Sequence, residues 1–289
     1  MNGVINLFKP PGITSAGAVS FVKRRIKAKV GHAGTLDPEA AGVLPLLIGR
    51  GTRLFNYIAD LNKVYLAEIV FGAATDTQDA QGQVVSTSRN IPSIDELNKA
   101  LPNFTGEIQQ IPPMYSALKK DGKRLYDLAR AGQSVERKPR QVVVDSIDIV
   151  SQSSENSYLM RISCGKGTYI RTLCHDLGEY LGSAAHMNIL IRESVGHMHM
   201  DEAYTMQEIE SGNFKLLPAD SLLCHMPKLV FDKIYSKKLL NGVAIPLADI
   251  DEIINNNENY RVYIEDSFIG IGYVEGEILR SRLVYAAIS

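Results

Sequence analysis

The sequence holds few cysteines, no apolar run long enough to span a membrane, and almost no net charge. Each shortage closes a class of protein. A membrane-crossing helix needs about 18 consecutive apolar residues, and no stretch approaches that. Cysteine occurs only at Cys164, Cys174 and Cys224. An odd count at spacings that match no zinc pattern excludes a disulfide framework, so the thiols read as packing residues in a reducing compartment, the cytoplasm. No basic segment leads into a long apolar stretch after Met1, so no secretory signal is expected. The net charge of −1 gives no global mark of nucleic-acid binding. Internal repeats and low-complexity tracts are also lacking.

What is present is an ordinary globular composition, 45% hydrophobic and 22% charged over 289 residues. That length accommodates one large core and a small satellite domain. The charge is unevenly placed. Residues 1–63 carry nine Lys/Arg against three Asp/Glu, a net +6, and residues 119–140 carry eight against three, a net +5. From Pro246 onward the balance is −5. Two basic segments on a near-neutral chain suit either a phosphate-tracking surface or two solvated faces.

Residues 3–8 read as a buried strand, ended by the turn chemistry of Lys9-Pro-Pro-Gly12. Thr14-Ser15 caps a helix expected over 16–28, with Ala18, Val19, Val22 and Ile26 at helical spacing. Residues 31–42, with three glycines and a proline, are expected to be a loop. A strand follows at 43–48, a helix at 51–61, a strand at 63–72, a polar loop at 73–82 and a helix through Ile94, Leu97 and Leu101. Residues 112–140 mix prolines, basic residues, Met114, Tyr115 and Tyr126, the pattern of an exposed arm. Strands at 141–150 and 157–164 and a helix at 168–181 complete the large unit. A boundary is placed near 227, and three short strands follow at 261–264, 268–274 and 278–285.

Several motifs fail on spacing. Gly165-Lys-Gly-Thr168 lacks the upstream glycine of a phosphate loop, because that position is Met160. Gly270-Ile-Gly272 lacks a third glycine and a following helix. His197-Met-His199 could suggest metal binding, but no Cys or acid completes a site there, and a solvated or packed pair is expected. Cys174-His175-Asp176 are consecutive, and helix neighbours do not face one another.

Gly31-His-Ala-Gly-Thr-Leu-Asp-Pro-Glu-Ala-Ala-Gly-Val-Leu-Pro45 is the most informative stretch. It places one acid, Asp37, before Pro38 in a glycine-rich segment between a basic helix and a buried strand. Local chemistry leaves two readings, an Asp-Pro turn or a carboxylate presented to a ligand. The segment closely resembles the signature of the TruB family of tRNA pseudouridine synthases. Further matches run in order along the chain: Lys9-Pro-Pro-Gly-Ile-Thr-Ser15, Lys63-Val-Tyr65, Thr75-Asp-Thr-Gln-Asp79 with Gly82, Gln110-Ile-Pro-Pro-Met-Tyr-Ser-Ala117 and Lys166-Gly-Thr-Tyr-Ile-Arg171.

The resemblance implies an α+β pseudouridine synthase fold. Its central sheet would be mixed, mainly antiparallel, and flanked by helices and loops. Residues 1–226 would form the catalytic domain, with an RNA-binding arm at 112–140, and residues 227–289 a small β-rich PUA-like domain. The implied activity is isomerisation of uridine to pseudouridine at position 55, in the T loop of tRNA. Asp37, Tyr65 and Arg171 would be catalytic. His32, Lys9, Asp79, Tyr169 and Leu190 would bind substrate, and Lys119, Lys120, Lys123 and Arg124 would hold RNA through the arm. In that reaction nothing is oxidised and no group is lost to water, so no cofactor or metal is expected. Neither a membrane nor an obligatory protein partner is expected, and the partner is the T arm of tRNA. Competing readings are a guide-dependent synthase, an RNA-folding chaperone, and a hydrolase that pairs Asp37 with Glu39.

Overall fold

The structure, a computed structural model, describes every residue except 117, 121, 134, 248–255 and 287–289. For Lys119, Lys120, Arg124 and Arg130 it describes the backbone alone. The large unit contains the strands β1 (Gly3–Lys9), β2 (Val30–His32), β3 (Ala41–Ile48), β4 (Lys63–Phe71), β5 (Ala73–Thr75), β6 (Val84–Thr87), β7 (Gly106–Gln110), β8 (Lys119–Lys120), β9 (Lys123–Arg124), β10 (Arg140–Ser154), β11 (Ser157–Cys164), β12 (Ala185–Val195) and β13 (Met198–His199). The main sheet runs β1-β3-β12-β4-β11-β10-β7, with β2 beside β3 and β13 beside β12. Every pairing in it is antiparallel except β3 with β12.

Strands β1 and β3 are apolar on both faces because both faces are covered. Ile5, Leu7, Leu44, Leu46 and Ile48 enter the larger core with Tyr65, Ile69 and Phe71. The helices Ser15–Ile26, Ile94–Ala100 and Ile170–Tyr180 close that face through Val22, Leu97, Leu173 and Leu177. Val4, Val43 and Leu47 point the other way, into a second cluster. The first helix is capped by Thr14, whose hydroxyl accepts the Gly17 N–H at 2.9 Å. The second is closed by a reciprocal Ser93–Glu96 capping box.

A separate five-stranded sheet is built from β14 (Lys228–Phe231), β15 (Ile245–Pro246), β16 (Asn259–Ile264), β17 (Ser267–Glu275) and β18 (Ile278–Val284), in the order β14-β16-β17-β18-β15. Its Phe268, Ile271, Leu283 and Tyr285 pack on the second cluster. The Tyr263 hydroxyl bonds Asp220, and Arg53 Nη1 donates to the Val284 carbonyl at 2.8 Å.

The expected elements are present with local differences. The helix expected over 51–61 is a 3-10 turn, Gly49–Leu54, followed by one α-turn, Phe55–Ile58. Gly49 and Gly51 weaken a regular helix there. The polar loop at 73–82 begins with β5, which pairs with β6. No element was expected between 182 and 211, yet β12 lies there at the centre of the sheet. Its His186, Asn188, Arg192, Glu193 and Ser194 break the alternation that marks a strand. Cys164 and Cys174 are buried as packing thiols, but Cys224 is exposed, which corrects its assignment to the core. Among the described residues no helix is long and apolar enough to cross a membrane.

Candidate active site

Asp37 lies between β2 and β3, where the chain is pinned from the N-terminal segment. The Ser15 hydroxyl donates to the Leu36 carbonyl and accepts the Leu36 N–H, both at 2.9 Å. The Gly12 N–H donates to the Pro38 carbonyl at 3.0 Å. The residues either side of Asp37 are therefore held by backbone bonds before its side chain meets anything. The Ala40 N–H reaches the Asp37 carbonyl at 3.2 Å. Asp37 thus starts a tight turn and presents a carboxylate, so the two local readings of its sequence hold together.

Lys9 is placed differently from its expected role in substrate binding. Its side chain is 0% exposed. The amine donates to the carbonyls of Pro10, Ile13 and Pro38 at 2.8, 2.8 and 2.9 Å. Burial lowers its pKa to about 8, so it remains cationic at neutral pH with three N–H groups for three acceptors. None is left for an RNA. The geometry makes Lys9 a staple between the segment after β1 and the Asp37 turn.

Arg171, at the start of helix Ile170–Tyr180, forks onto Asp37. Nε is 3.0 Å from Oδ2, and Nη2 is 3.3 Å from Oδ1. Nη1 reaches Asp79 Oδ2 at 3.4 Å and the Thr77 carbonyl at 3.2 Å. Nη2 also donates to the Tyr115 carbonyl at 2.9 Å. Asp79 is itself held, accepting from the Thr77 hydroxyl at 2.6 Å and the Gln81 N–H at 3.1 Å. The Arg171 side chain is 7% exposed, against 39% for Asp37. The buried cation orients a carboxylate that still opens to the surface. Burial pushes the Asp37 carboxyl above its ordinary value. Arg171 pulls it back, Asp79 pushes it up, Lys9 pulls it down, and the balance stays upward.

Tyr65, on β4, is 9% exposed and belongs to the larger core. Burial raises its pKa, and Arg192 opposes that. Leu190 is also buried and sits two positions along the sheet, opposite Ala67. Tyr169 is half-buried and precedes the Arg171 helix. The Gln110 side-chain amide brackets it, accepting its N–H at 3.0 Å and donating to its carbonyl at 3.3 Å. His32, on β2, is half-buried, and its Nδ1 has no hydrogen-bond partner. Burial, then Arg192, lowers its pKa, so the ring is neutral at neutral pH.

Segment 112–140 is less uniformly exposed than its composition suggests. Pro112, Pro113, Ser116 and Leu125 are buried, while Gly122 and Lys123 are exposed on the β8–β9 hairpin. Prolines and short apolar groups pack its base against the domain, and the polar tip stays in solvent. The side chains of Lys119, Lys120 and Arg124 lie outside the described residues. Pattern reading missed Ser15 as an anchor, Gln110 as a bracket and Arg192 altogether. The one available signal for Arg192 was a charge inside the apolar run Ile189-Leu-Ile-Arg192. His197 and His199 are exposed, as a solvated pair would be.

The fold is that of the pseudouridine synthases, as two solved structures show. The fold matches a solved H/ACA RNP bound to a substrate RNA containing 2'-deoxyuridine, with a TM-score of 0.76 and 22% identity, over 99% of this chain and 85% of that one. It matches a Cbf5-Nop10-Gar1 complex with a TM-score of 0.75 and 24% identity, over 98% and 85%. In sequence, residues 23–170 match the TruB family pseudouridylate synthase N-terminal domain, and residues 171–225 the tRNA pseudouridylate synthase B C-terminal domain. The tRNA pseudouridine synthase B of Alkaliphilus oremlandii is 42% identical over 96% of this chain and 94% of its own. That of Caldanaerobacter subterraneus subsp. tengcongensis is 41% identical over 99% of each. The chain belongs to the TruB family.

Proposed function

We propose that this protein isomerises uridine to pseudouridine in the T loop of tRNA, at position 55, with Asp37 as the catalytic carboxylate. The observation that carries the reading is the two-point fork from Arg171 onto a carboxylate that remains open to the surface. The reaction breaks the N1–C1′ bond, turns the base, joins C5 to C1′, releases the C5 proton to solvent and leaves N1 protonated. Asp37 acts either by attacking C1′ or by removing a ribose proton, and family resemblance favours the second, through a glycal-like intermediate. Both routes need the carboxylate ionised and aimed, and Arg171 supplies both.

The uridine must leave the T-loop stack to reach Asp37. Tyr65 stacks on the flipped uracil, with Tyr169 and Leu190 as the pocket walls. His32, a neutral flat ring at neutral pH, fills the gap left behind. The arm at 112–140 and the basic helix Ser15–Ile26 hold the RNA by shape and phosphates. Residues 227–289 form a small PUA-like domain, and the cytoplasm is where such an enzyme meets its substrate.

The test is tritium release from C5-tritiated uridine in a T-arm transcript, with a transcript lacking the target uridine as control. Asp37→Asn should abolish release and keep RNA affinity within about tenfold, roughly 1.4 kcal/mol. Wild-type turnover by that variant would remove Asp37 from the chemistry. The fold likeness to an H/ACA RNP raises a second reading, a guide-dependent synthase. Release from bare transcript without any guide separates the two.

A further inference from the structure

Arg192 is the largest side chain buried to less than 2% exposure. Among the described residues no carboxylate pairs with it. Its nearby titratable groups include the cations Lys9 and Lys63, on each of which it acts repulsively. An unpaired guanidinium in such surroundings is costly, and packing alone would be better served by methionine or leucine. Its hydrogen bonds indicate its use. Nε donates to the Val43 carbonyl at 2.7 Å, and Nη2 to the Gly34 carbonyl at 3.1 Å. Those carbonyls stand at the two ends of the segment that carries Asp37. The guanidinium also lies close enough to Tyr65 to act on its hydroxyl oxygen, opposing the rise in its pKa.

The strand register makes this meeting specific. Arg192 on β12 lies directly opposite Tyr65 on β4, so both side chains leave the same face of the sheet. The pairing is irregular on both sides of this contact, between Met187 and Leu190 and between Arg192 and Ser194. Such bulges re-aim side chains. On the other edge of β12, Arg192 is in register with Gly42 of β3. Gly42 has φ +109°, and a Cβ there would collide with the Arg192 carbonyl. The backbone and the side chain of one residue therefore fix both β3 and Tyr65.

We infer that Arg192 is a positioning residue for the reaction proposed above: anchored on the Val43 and Gly34 carbonyls, it holds the Tyr65 hydroxyl in a fixed relation to the turn bearing Asp37. This rests on the proposed isomerase activity, in which Tyr65 lies against the uracil. A buried tyrosine hydroxyl beside an anchored cation is fixed in place, and with it the ring that lies against the uracil.

The inference predicts non-additive kinetics. On the T-arm transcript, Arg192→Lys should slow single-turnover conversion about 30-fold or more, with the RNA dissociation constant within about threefold of wild type. In a Tyr65→Phe background the same change should slow conversion by no more than about threefold, because the hydroxyl it serves is gone. Equal fold-losses in both backgrounds would overturn the inference. A second measurement needs neither activity nor an Arg192 variant. Among the described residues Arg171 and Arg192 are the two buried arginines, at 5% and 1% exposure, so their guanidinium protons should exchange slowly. The slow set that persists in Arg171→Lys belongs to Arg192, and Tyr65→Phe should shift it and speed its exchange. An unchanged set would overturn the inference even if no variant of Arg192 folds. Should wild type fail to convert the transcript while the Arg192 signals respond to Tyr65→Phe, the proposed activity fails and the structural coupling stands.

Discussion

Replacing Arg171 by lysine keeps the charge and removes the fork. In the native site two N–H groups address the two carboxylate oxygens of Asp37, at 3.0 and 3.3 Å. Three further contacts go to Asp79 and to the carbonyls of Thr77 and Tyr115. An ammonium has three donors on one atom and cannot span acceptors arranged around a planar group. It keeps at most one good bond to Asp37. A lost charge-assisted bond is worth about 1.5–3 kcal/mol. Because the Asp37 side chain is 39% exposed, water screens part of this. The lower part of the range applies, about 1.5–2 kcal/mol, or roughly 10–30-fold in rate. The assay is single-turnover tritium release at saturating enzyme, so that binding does not enter. RNA affinity, measured separately, should change by less than about threefold, since the guanidinium is buried beneath the carboxylate. Conversion within about twofold of wild type would refute the reasoning, because the fork would then orient nothing that limits the reaction.

Other expectations follow from the same geometry. The single-turnover rate should fall as pH drops through the Asp37 value, which burial holds above its ordinary value. A pH–rate profile whose acid limb lies at or below pH 3.8 would contradict this. Since the folded-state pKa is raised, ionisation of Asp37 opposes folding as pH rises past its unfolded value, so Asp37→Asn should unfold at an equal or higher temperature than wild type at pH 7. Lys9→Met should destabilise the fold by about 3 kcal/mol, because it strips the shared donor from three carbonyls beside the Asp37 turn. Denaturant unfolding reads this, and an unchanged midpoint would return Lys9 to a binding role. Lys123→Glu, on the exposed tip of the β8–β9 hairpin, should raise the RNA dissociation constant at low salt and flatten its salt dependence. An unchanged slope would mean that the tip does not meet phosphate.

Most of the sheet is legible in the chain because its strands obey simple rules. Residues 41–48 are apolar on both faces, residues 3–9 and 63–71 are mostly apolar, and glycine or proline lies at or near their ends. The Ser15–Ile26 helix announces itself by its cap and its spacing. β12 was invisible because its polar residues serve different neighbours: Asn188 bonds Glu68, Arg192 reaches Val43 and Gly34, and Glu193 pairs with Arg161. Such a strand has no period of its own.

In the site, the resemblance to the TruB family, carried by motifs in order along the chain, pointed to Asp37, Tyr65 and Arg171. Local sequence alone left Asp37 divided between a turn and a carboxylate. What only tertiary structure decided is which groups those residues face. Arg171 stands 134 positions from Asp37. Lys9 is spent on carbonyls instead of RNA, and Arg192 meets Tyr65, on a paired strand more than a hundred positions away in sequence. Burial and register set these relations, and both arise from how the strands stack in space, which no local pattern along the chain encodes.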